Sequence, residues 1–594
     1  MIRFLCSTAL VAAVLLSGLS TSAQEKSTST GKGEGKSTGR ITLTAAKAAP
    51  AKGPLVLGTP TDPHAPTMRL VVSNANELMS DFQATMKLCS PADFKQWPEL
   101  EKYLDVFLIG VDRTLPARLD TITTHPIDRY VLSVPVPSDT MLTRFRRENL
   151  DPLGITATRQ AGQLWKLTNA FTGFMRVKEG YASIAEYKDD IPLEMPNPIG
   201  QVAHLLAMKA DVVFEGTNVD NAAGALESRR ASYGIRRKDA LAKLKKKDNE
   251  TADEFAIRKE IASANADEAE RLYVEAKLAL MAATIDSPQH QGRLTLQTIP
   301  LAKTAFEASV KRIHEKPDRF AAIEPFDNPI LSGRINLPLD EMRIAYIQKI
   351  TAAMKTRSLN QIEAEKDRNV DEKAAAKKIV ELFYAMVDDG AKSELLNGFV
   401  ESRSNASGKN TLIWGVVPKD GNVVVEMLEL LPKSGKGNSA ELNVDSEGDV
   451  KIHKMMMPAG VRADAKSFFG EETAFVGTSK DSLWLAIGED GLKELKGAIK
   501  KSAEAKEADP KAPFLNGMIK LGPWTELLHK RWGTTGNVKV RERAVAAFKG
   551  GDDILTIQMT RDEEKIDGMI KLMPGVLRFI GSSMAEFTRN LDKK

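Results

Sequence analysis

One local pattern recurs along most of the chain. Four to six residues alternate apolar and polar, a polar or Pro/Gly break follows, and apolar residues then recur three and four apart. It reads most plainly in MRLVVSNANELMSDFQATMKL (68–88), DVVFEGTNVDNAAGALES (211–228) and RLTLQTIPLAKTAFEASVKRI (293–313). It returns in GRINLPLDEMRIAYIQKITAAM (333–354), LWLAIGEDGLKELKGAIKK (483–501), GMIKLGPWTELLHKRW (517–532) and ILTIQMTRDEEKIDGMIKLM (554–573). The switch from period 2 to period 3.6 predicts a strand that feeds directly into a helix. Met68, Leu70 and Val72 share one strand face, as do Leu555, Ile557 and Met559. Helix-start residues occupy the breaks: Asn76, Asp220, Pro300, Pro338, Asp490, Pro523 and Asp562.

Between these units lie stretches that read as hairpin strands. DRYVLSVPVP (128–137) matches NTLIWGVVPKDGNVVVEMLEL (410–430) in texture, and 163–185 matches 449–488. The element order therefore reads the same twice, over about 66–355 and 375–590. Each strand has one polar face, which suits an antiparallel sheet and not a doubly wound parallel one. The predicted class is α+β: two tandem lobes of largely antiparallel sheet with helices on one face, the first over 67–355 and the second over 379–594. A charged linker or helix, 356–378, joins them.

Residues 219–285 interrupt the first lobe with an Ala-, Lys-, Arg- and Glu-rich stretch that predicts an inserted long α-helical hairpin. Its turn falls near Lys247–Glu250, and Thr251-Ala-Asp-Glu254 is a capping-box signature for the second helix. Small apolar residues (Ala240, Leu241, Leu244, Ile257, Ile261, Ala264, Leu272) allow close packing, and no strict heptad persists to make a long dimeric coiled coil. The first helix is basic: Arg229, Arg230, Arg236, Arg237, Lys238, Lys243, Lys245, Lys246 and Lys247. Two readings stand. The acidic second helix (Asp253, Glu254, Glu260, Asp267, Glu268, Glu270) balances it as ordinary surface design. Alternatively, Arg229, Arg230, Arg236, Arg237, Lys245, Lys246 and Lys247 form a contact surface for an anionic partner, such as an envelope polymer, membrane headgroups or an acidic protein.

The N-terminus changes the setting. Arg3, an apolar run at 9–16 and Thr21-Ser22-Ala23 make residues 1–23 read as a secretory signal peptide, and 24–66 read as a low-complexity tether. The expected location is exported, periplasmic or extracellular, with no transmembrane segment in the mature chain. Removal of the leader leaves Cys89 as the one cysteine, read as a buried small residue rather than a reactive thiol. With 594 residues, 42% of them hydrophobic, the chain can bury large cores, and its 83 basic against 79 acidic residues argue against a nucleic-acid binder.

Candidate chemistry is thin. GKGEGKST (31–38) resembles a phosphate-binding loop but has Thr30 where the first glycine is needed, and Ser29–Lys32 matches S-x-x-K without its companion motifs. None of the seven histidines lies three or four residues from another, and His314-Glu315 lacks the second histidine of a zinc helix. Asn443–Val450 resembles a calcium loop, but its twelfth position is Lys454, so a hairpin turn is expected. The Asp189-Asp190, Asp388-Asp389 and Asp552-Asp553 pairs read as turn acids, and Met455–Met457 and the six tryptophans read as core. No cofactor, metal or catalytic residue is assigned.

DSLWLAIGEDGLKELKGAIKK (481–501) and GDVKIHKMMMP (448–458) carry a resemblance in texture to large exported proteins of planctomycete-type bacteria, whose tandem α+β repeats follow a leader and a tether. The resemblance covers most of 66–590 and carries no activity or site residue. The expected function is a non-enzymatic binding or scaffolding protein of the cell envelope, contacting an envelope protein or anionic polymer. The alternatives are a hydrolase of an envelope polymer with a site between the lobes, and a carrier of an apolar ligand sheltered between sheet and helices. The oligomeric state is left open.

Overall fold

The computed structural model describes residues 67–591 apart from 125–126, 195–196, 219–223, 249, 505–508 and 533–537. The leader, the tether and the motifs at 29–38 lie outside the described residues. Twenty strands form one antiparallel sheet, an α+β architecture. In the first half these are β1 (Met68–Val72), β2 (Ala117–Thr124), β3 (Ile127–Pro135), β4 (Ile155–Arg159), β5 (Leu164–Asn169), β6 (Gly173–Lys178), β7 (Tyr181–Ala185), β8 (Val212–Thr217), β9 (Ala276–Asp286) and β10 (Gln291–Pro300). The second half contributes β11 (Pro329–Pro338), β12 (Leu395–Ser404), β13 (Asn410–Val416), β14 (Ala440–Glu447), β15 (Val450–Met456), β16 (Thr473–Thr478), β17 (Leu483–Ile487), β18 (Leu515–Lys520), β19 (Ile554–Asp562) and β20 (Lys565–Leu572).

The pairings place these strands in the order β4-β5-β6-β7-β3-β2-β1-β8-β9-β10 and, continuing across, β20-β19-β18-β11-β12-β13-β17-β16-β15-β14. The second half is the first read backwards: every strand βn has its counterpart at βn+10. The seam joins β10 to its own counterpart β20, antiparallel, from Gly292–Leu572 to Thr298–Ile566. Equivalent strands paired antiparallel are related by a local two-fold axis, so the sheet runs through both halves without a break.

The main helices are α1 (Ala75–Lys87), α2 (Ala225–Ala242), α3 (Ala252–Glu270), α4 (Glu341–Ala364), α5 (Val370–Ala391), α6 (Val423–Leu430), α7 (Ala459–Phe469), α8 (Gly491–Ser502), α9 (Leu521–Trp532), α10 (Val538–Phe548) and α11 (Pro574–Leu591). Their starts follow capping chemistry: Asn74, Thr251, Asp340 and Asn369 each accept the amide three residues on. Three expected starts move accordingly, from Asn76 to Asn74, from Pro300 to Thr304 and from Pro338 to Asp340, and the helix expected at Pro523 begins at Leu521. No helix begins at Asp562: the stretch 554–573, expected as strand then helix, is the β19–β20 hairpin. The stretch Val423–Leu430, expected as strand, is helix, because Val424, Met427 and Leu428 fall on one buried helical face. The charged stretch 356–378 is taken up by the end of α4, a turn and the start of α5.

The two faces of the sheet differ. One face carries Val72, which packs with Ala75 and Met79 of α1 in the first half. In the second half that face buries Leu412, Leu485 and Ile487 under α5, α6 and α7. The other face carries Arg69 and Val71. There α8 adds Leu495, Ala498 and Ile499 to a core built on Phe399, Ile413, Ile452 and Trp484. Helices therefore cover both faces of the second half, where one covered face was expected. The reason is legible in β17, whose Leu-Trp-Leu-Ala-Ile is apolar at every position and buried throughout.

Candidate functional site

The basic residues of the arm divide into two groups. The arginines of α2 are partnered within the arm, although Arg230 remains exposed. Arg237 reaches Asp267 at 2.7 Å and the Ser263 hydroxyl at 2.9 Å, and Arg230 reaches Glu275 at 3.0 Å and Glu270 at 3.6 Å. The Arg236 guanidinium lies 5.3 Å from the Tyr273 ring, and the Tyr233 hydroxyl donates to the Ala266 carbonyl at 2.9 Å. Arg229 is half-buried. Burial holds Asp267 and Glu270 above the usual carboxylate range, although Arg237 and Arg230 oppose it. Lys245, Lys246 and Lys247 are exposed in the turn between α2 and α3.

That turn is organised. Arg258 clasps Glu250 through two 2.7 Å hydrogen bonds and donates a third to the Lys245 carbonyl, also at 2.7 Å. The Glu250 carboxylate also accepts the Lys247 amide at 3.0 Å. The Arg258 hydrogen bonds hold Glu250 down at about 2. The Thr251–Glu254 capping box closes next to it. Three lysines thus stand on a backbone fixed by side-chain bonds rather than on a loose loop.

The base of the arm is locked to the second half. Arg343 of α4 is half-buried and meets Glu268 of α3 at 2.7 and 3.2 Å, while buried Arg271 meets Asp340 at 2.8 Å. The Tyr346 hydroxyl adds a bond to Glu268 at 3.0 Å, and Arg343 also reaches the Ser309 hydroxyl at 3.2 Å. Two arginines and two carboxylates make a neutral quartet. Burial alone would raise both acids, but Arg343 outweighs it with Arg271 beside it, and Asp340 is held at about 2 with Glu268 also below its ordinary value. Beside the quartet lies a bowl of about 370 Å³ whose lining includes Glu270, Arg271, Ala305, Met342, Tyr346 and Lys349. A second cavity, of about 90 Å³, sits between sheet and helix among Phe306, Val310, Ile313, Ile335, Phe514 and Met559. It is smaller than the ~150 Å³ cavity that takes a benzene, and far short of an acyl chain.

A charge network that the sequence did not announce lies on the other face of the first half. Arg69 of β1 meets Asp120 of β2 at 2.7 Å, and Arg118 meets the same carboxylate at 3.1 Å. Glu215 of β8 stands 3.7 Å from Arg69 and 2.7 Å from His204. The segment over them is pinned by the same arginines: Arg118 donates to Pro198 O at 3.1 Å and to the Gln201 side chain, and Arg69 donates to Gln201 O at 3.2 Å. Arg69, Asp120, Arg118 and Glu215 are all buried. In sequence these charges alternate with apolar residues, so they read as a solvent face.

The remaining sequence candidates have structural partners. The Asn443–Val450 stretch is the β14–β15 hairpin, turned at Gly448 with φ +59°, and its Asp445 pairs with Lys496 at 3.0 Å. Asp190 meets Arg129, Asp388 and Asp389 meet Lys392, and Asp552 meets Arg578. Buried His453 accepts the Asn443 amide at Nδ1 and contacts the Thr478 hydroxyl at Nε2. Met455 and Met457 are core, as are Trp97, Trp165 and Trp484. The Cys89 thiol donates to the Arg578 carbonyl at 3.2 Å, and burial pushes it up to about 11, so it is a thiol and not a thiolate near neutral pH. Among the described residues no group of three or more His, Cys, Asp or Glu side chains is placed to hold a metal ion, and no helix is long and apolar enough to cross a membrane. No family model matches the chain, and no curated protein or solved structure matches it.

Proposed function

We propose that the protein is an exported, non-enzymatic binding or scaffolding protein of the cell envelope, which docks an anionic polymer on the lysine turn at the tip of its helical arm. The observation that carries the reading is the division of charge within the arm. Arg230 and Arg237 of α2 are paired with acids of the arm itself, whereas Lys245, Lys246 and Lys247 are exposed on a turn fixed by Arg258 and Glu250. A fixed turn presents its charges to a partner with little further loss of conformational freedom. The clamp between α3 and α4 supports the same reading, since it gives the arm a rigid base. Export rests on the N-terminal leader pattern, and the resemblance to exported proteins of planctomycete-type bacteria agrees with it.

The test is a binding isotherm with a soluble polyglutamate at several salt concentrations. The wild-type chain should bind with an affinity that falls as salt rises. The variant K245A/K246A/K247A should lose at least about tenfold, equivalent to ~1.4 kcal/mol. Equal affinity in the two proteins, or no binding by the wild type, would sink the reading.

A further inference from the structure

A second cationic feature lies at the far edge of the first half and has no part in the arm. A short π-helical turn, Phe145–Leu150, is anchored by buried Phe145 and Leu150 and by Asn149, which donates to Phe107 O at 3.1 Å. Its outward residues include Arg146 and Arg147. Beside it runs β4, which pairs with β5 alone and so forms the edge of the sheet, and which ends on Arg159 opposite Trp165. The Arg146 guanidinium stacks 3.9 Å from the centre of the Trp165 ring, and that of Arg159 lies 5.8 Å from the same ring.

The charges in this cluster are poorly answered. Glu148, the acid within the turn, is taken by Arg144 at 3.1 Å. Among the described residues, Arg146, Arg147 and Arg159 have no carboxylate within ion-pair distance. The one hydrogen bond that Arg146 makes there, to Ala157 O, is long at 3.5 Å, and its Nε is buried without a partner. Burial lowers the Arg146 pKa from its ordinary value. Arg147 and Arg159 press it further in the same direction, and Asp151 opposes them. The counterpart edge of the second half is built differently. There the β14–β15 hairpin carries Asp445 and Glu447, answered by Lys496 at 3.0 and 3.8 Å. The strand topology therefore does not require the arginine cluster.

Like charges gathered at a partly desolvated aromatic surface repel one another, and an anion in their midst relieves the repulsion. The guanidinium fork matches the paired oxygens of carboxylate, sulfate and phosphate, and the tryptophan face holds one fork flat. We propose that Arg146, Arg147 and Arg159, gathered around Trp165 at the β4 edge, form a binding site for an oxyanion group carried by a free solute or by an acidic polysaccharide. This site is separate from the arm and goes beyond the function proposed above.

The test uses the full-length protein and two calorimetric titrations at matched ionic strength, one with inorganic phosphate and one with polygalacturonate. Arg147 and Arg159 are exposed, so the variant R147Q/R159Q tests the site without disturbing the anchored turn. The expected result is saturable binding by the wild type that weakens at least about tenfold in R147Q/R159Q, with the phosphate titration unchanged in K245A/K246A/K247A and the polygalacturonate titration still weakened when R147Q/R159Q is added to that variant. Quenching of tryptophan fluorescence on binding should be lost in W165F. Response to phosphate assigns a free solute; response to polygalacturonate with none to phosphate assigns the polymer. The proposal is overturned if neither titration saturates, if R147Q/R159Q binds as the wild type does, if the arm variant loses phosphate binding equally, or if R147Q/R159Q weakens nothing further in the arm variant. It is also overturned if sedimentation shows that the cluster is instead occupied by the acidic edge of another copy.

Discussion

The two halves of the sheet share a strand order and differ in what they bury on the face that carries Arg69. In the first half, two arginines and two acids are closed under residues 197–206, whose own His204 meets one of the acids. In the second half the same face holds an aromatic triad, Phe320, Phe399 and Trp484, with ring centres 5.0 to 5.7 Å apart. Gly415 makes room for the triad: a Cβ there would stand 2.6 Å from the Phe399 ring and 3.0 Å from Phe320. One topology thus accepts two opposite interiors. Strand pairing and the alternation on the shared helix-covered face are enough to set it, and the chemistry of the other face is free to diverge. The halves should also fail differently. The aromatic core of the second rests on apolar area, which is itself insensitive to pH. The first rests on pairing, which is lost as soon as one partner goes.

The largest expected effects attack each interior at its centre. Trp484→Ala should cost about 3–5 kcal/mol in chemical denaturation, from lost transfer energy and the cavity left behind. Asp120→Ala should cost a similar ~3–5 kcal/mol by leaving Arg69 and Arg118 buried without their carboxylate. The two should differ in rescue: adding Arg118→Met should recover part of the Asp120→Ala loss and none of the Trp484→Ala loss. If both respond alike, the contrast between the halves is wrong. Gly415→Ala should cost about 1–3 kcal/mol by overpacking the triad; a neutral result would mean that the aromatic rings move aside.

A smaller effect concerns Glu401 of β12, a buried acid on the same face as the aromatic triad. It accepts the Ser332 hydroxyl at 2.7 Å and the Phe326 amide at 3.3 Å. Burial pushes it up to about 7, against the pull of those bonds. A carboxyl raised in the fold favours folding in its neutral form. That contribution is full below its unfolded value near 4.3 and is lost as pH rises through about 7. Melting temperature should therefore fall between pH 5 and pH 8 in the wild type and fall less in Glu401→Gln; parallel curves would remove Glu401 as the cause. The smallest effect is on the arm, where K245A/K246A should move stability by under about 0.5 kcal/mol, since both side chains are exposed.

Much of the architecture was legible because it is local. Alternation placed Met68, Leu70 and Val72 on one face, and Leu555, Ile557 and Met559 on another strand of the same face. The repeated element order pointed to recurring strands, but it put β11, the counterpart of β1, in a first lobe running to 355, whereas β11 pairs with β12 and β18 of the second half. What was not legible depended on distance along the chain. Nothing in GRLTLQTIP or KIDGMIKL announces that β10 and β20 pair with each other across some 270 residues. Charges at alternate positions in β1, β2 and β8 look solvated until a separate segment is laid over them. NVVVEMLEL has enough branched residues to read as strand, and packing against α5 and the sheet decided for helix. At the arm, the opposite charges of the two helices were visible in composition. Which arginines would be satisfied within the molecule, and that Arg343 from another segment would complete the clamp, was not.

The seam between β10 and β20 has a consequence for how the protein is made. Strand β10 is finished by residue 300, while its partner ends at residue 572. During synthesis, the first half can assemble while its last strand still offers an open row of amides and carbonyls. The rightful partner is the counterpart strand of the same chain, so the β10 of a neighbouring nascent molecule is its nearest imitation. The wait is long, and the pairing that ends it has one of the largest sequence separations in the sheet, so completion is intrinsically slow. The feature that makes the mature sheet seamless leaves the half-made one open to joining a sister molecule, and crowding of nascent chains should favour linked pairs over monomers.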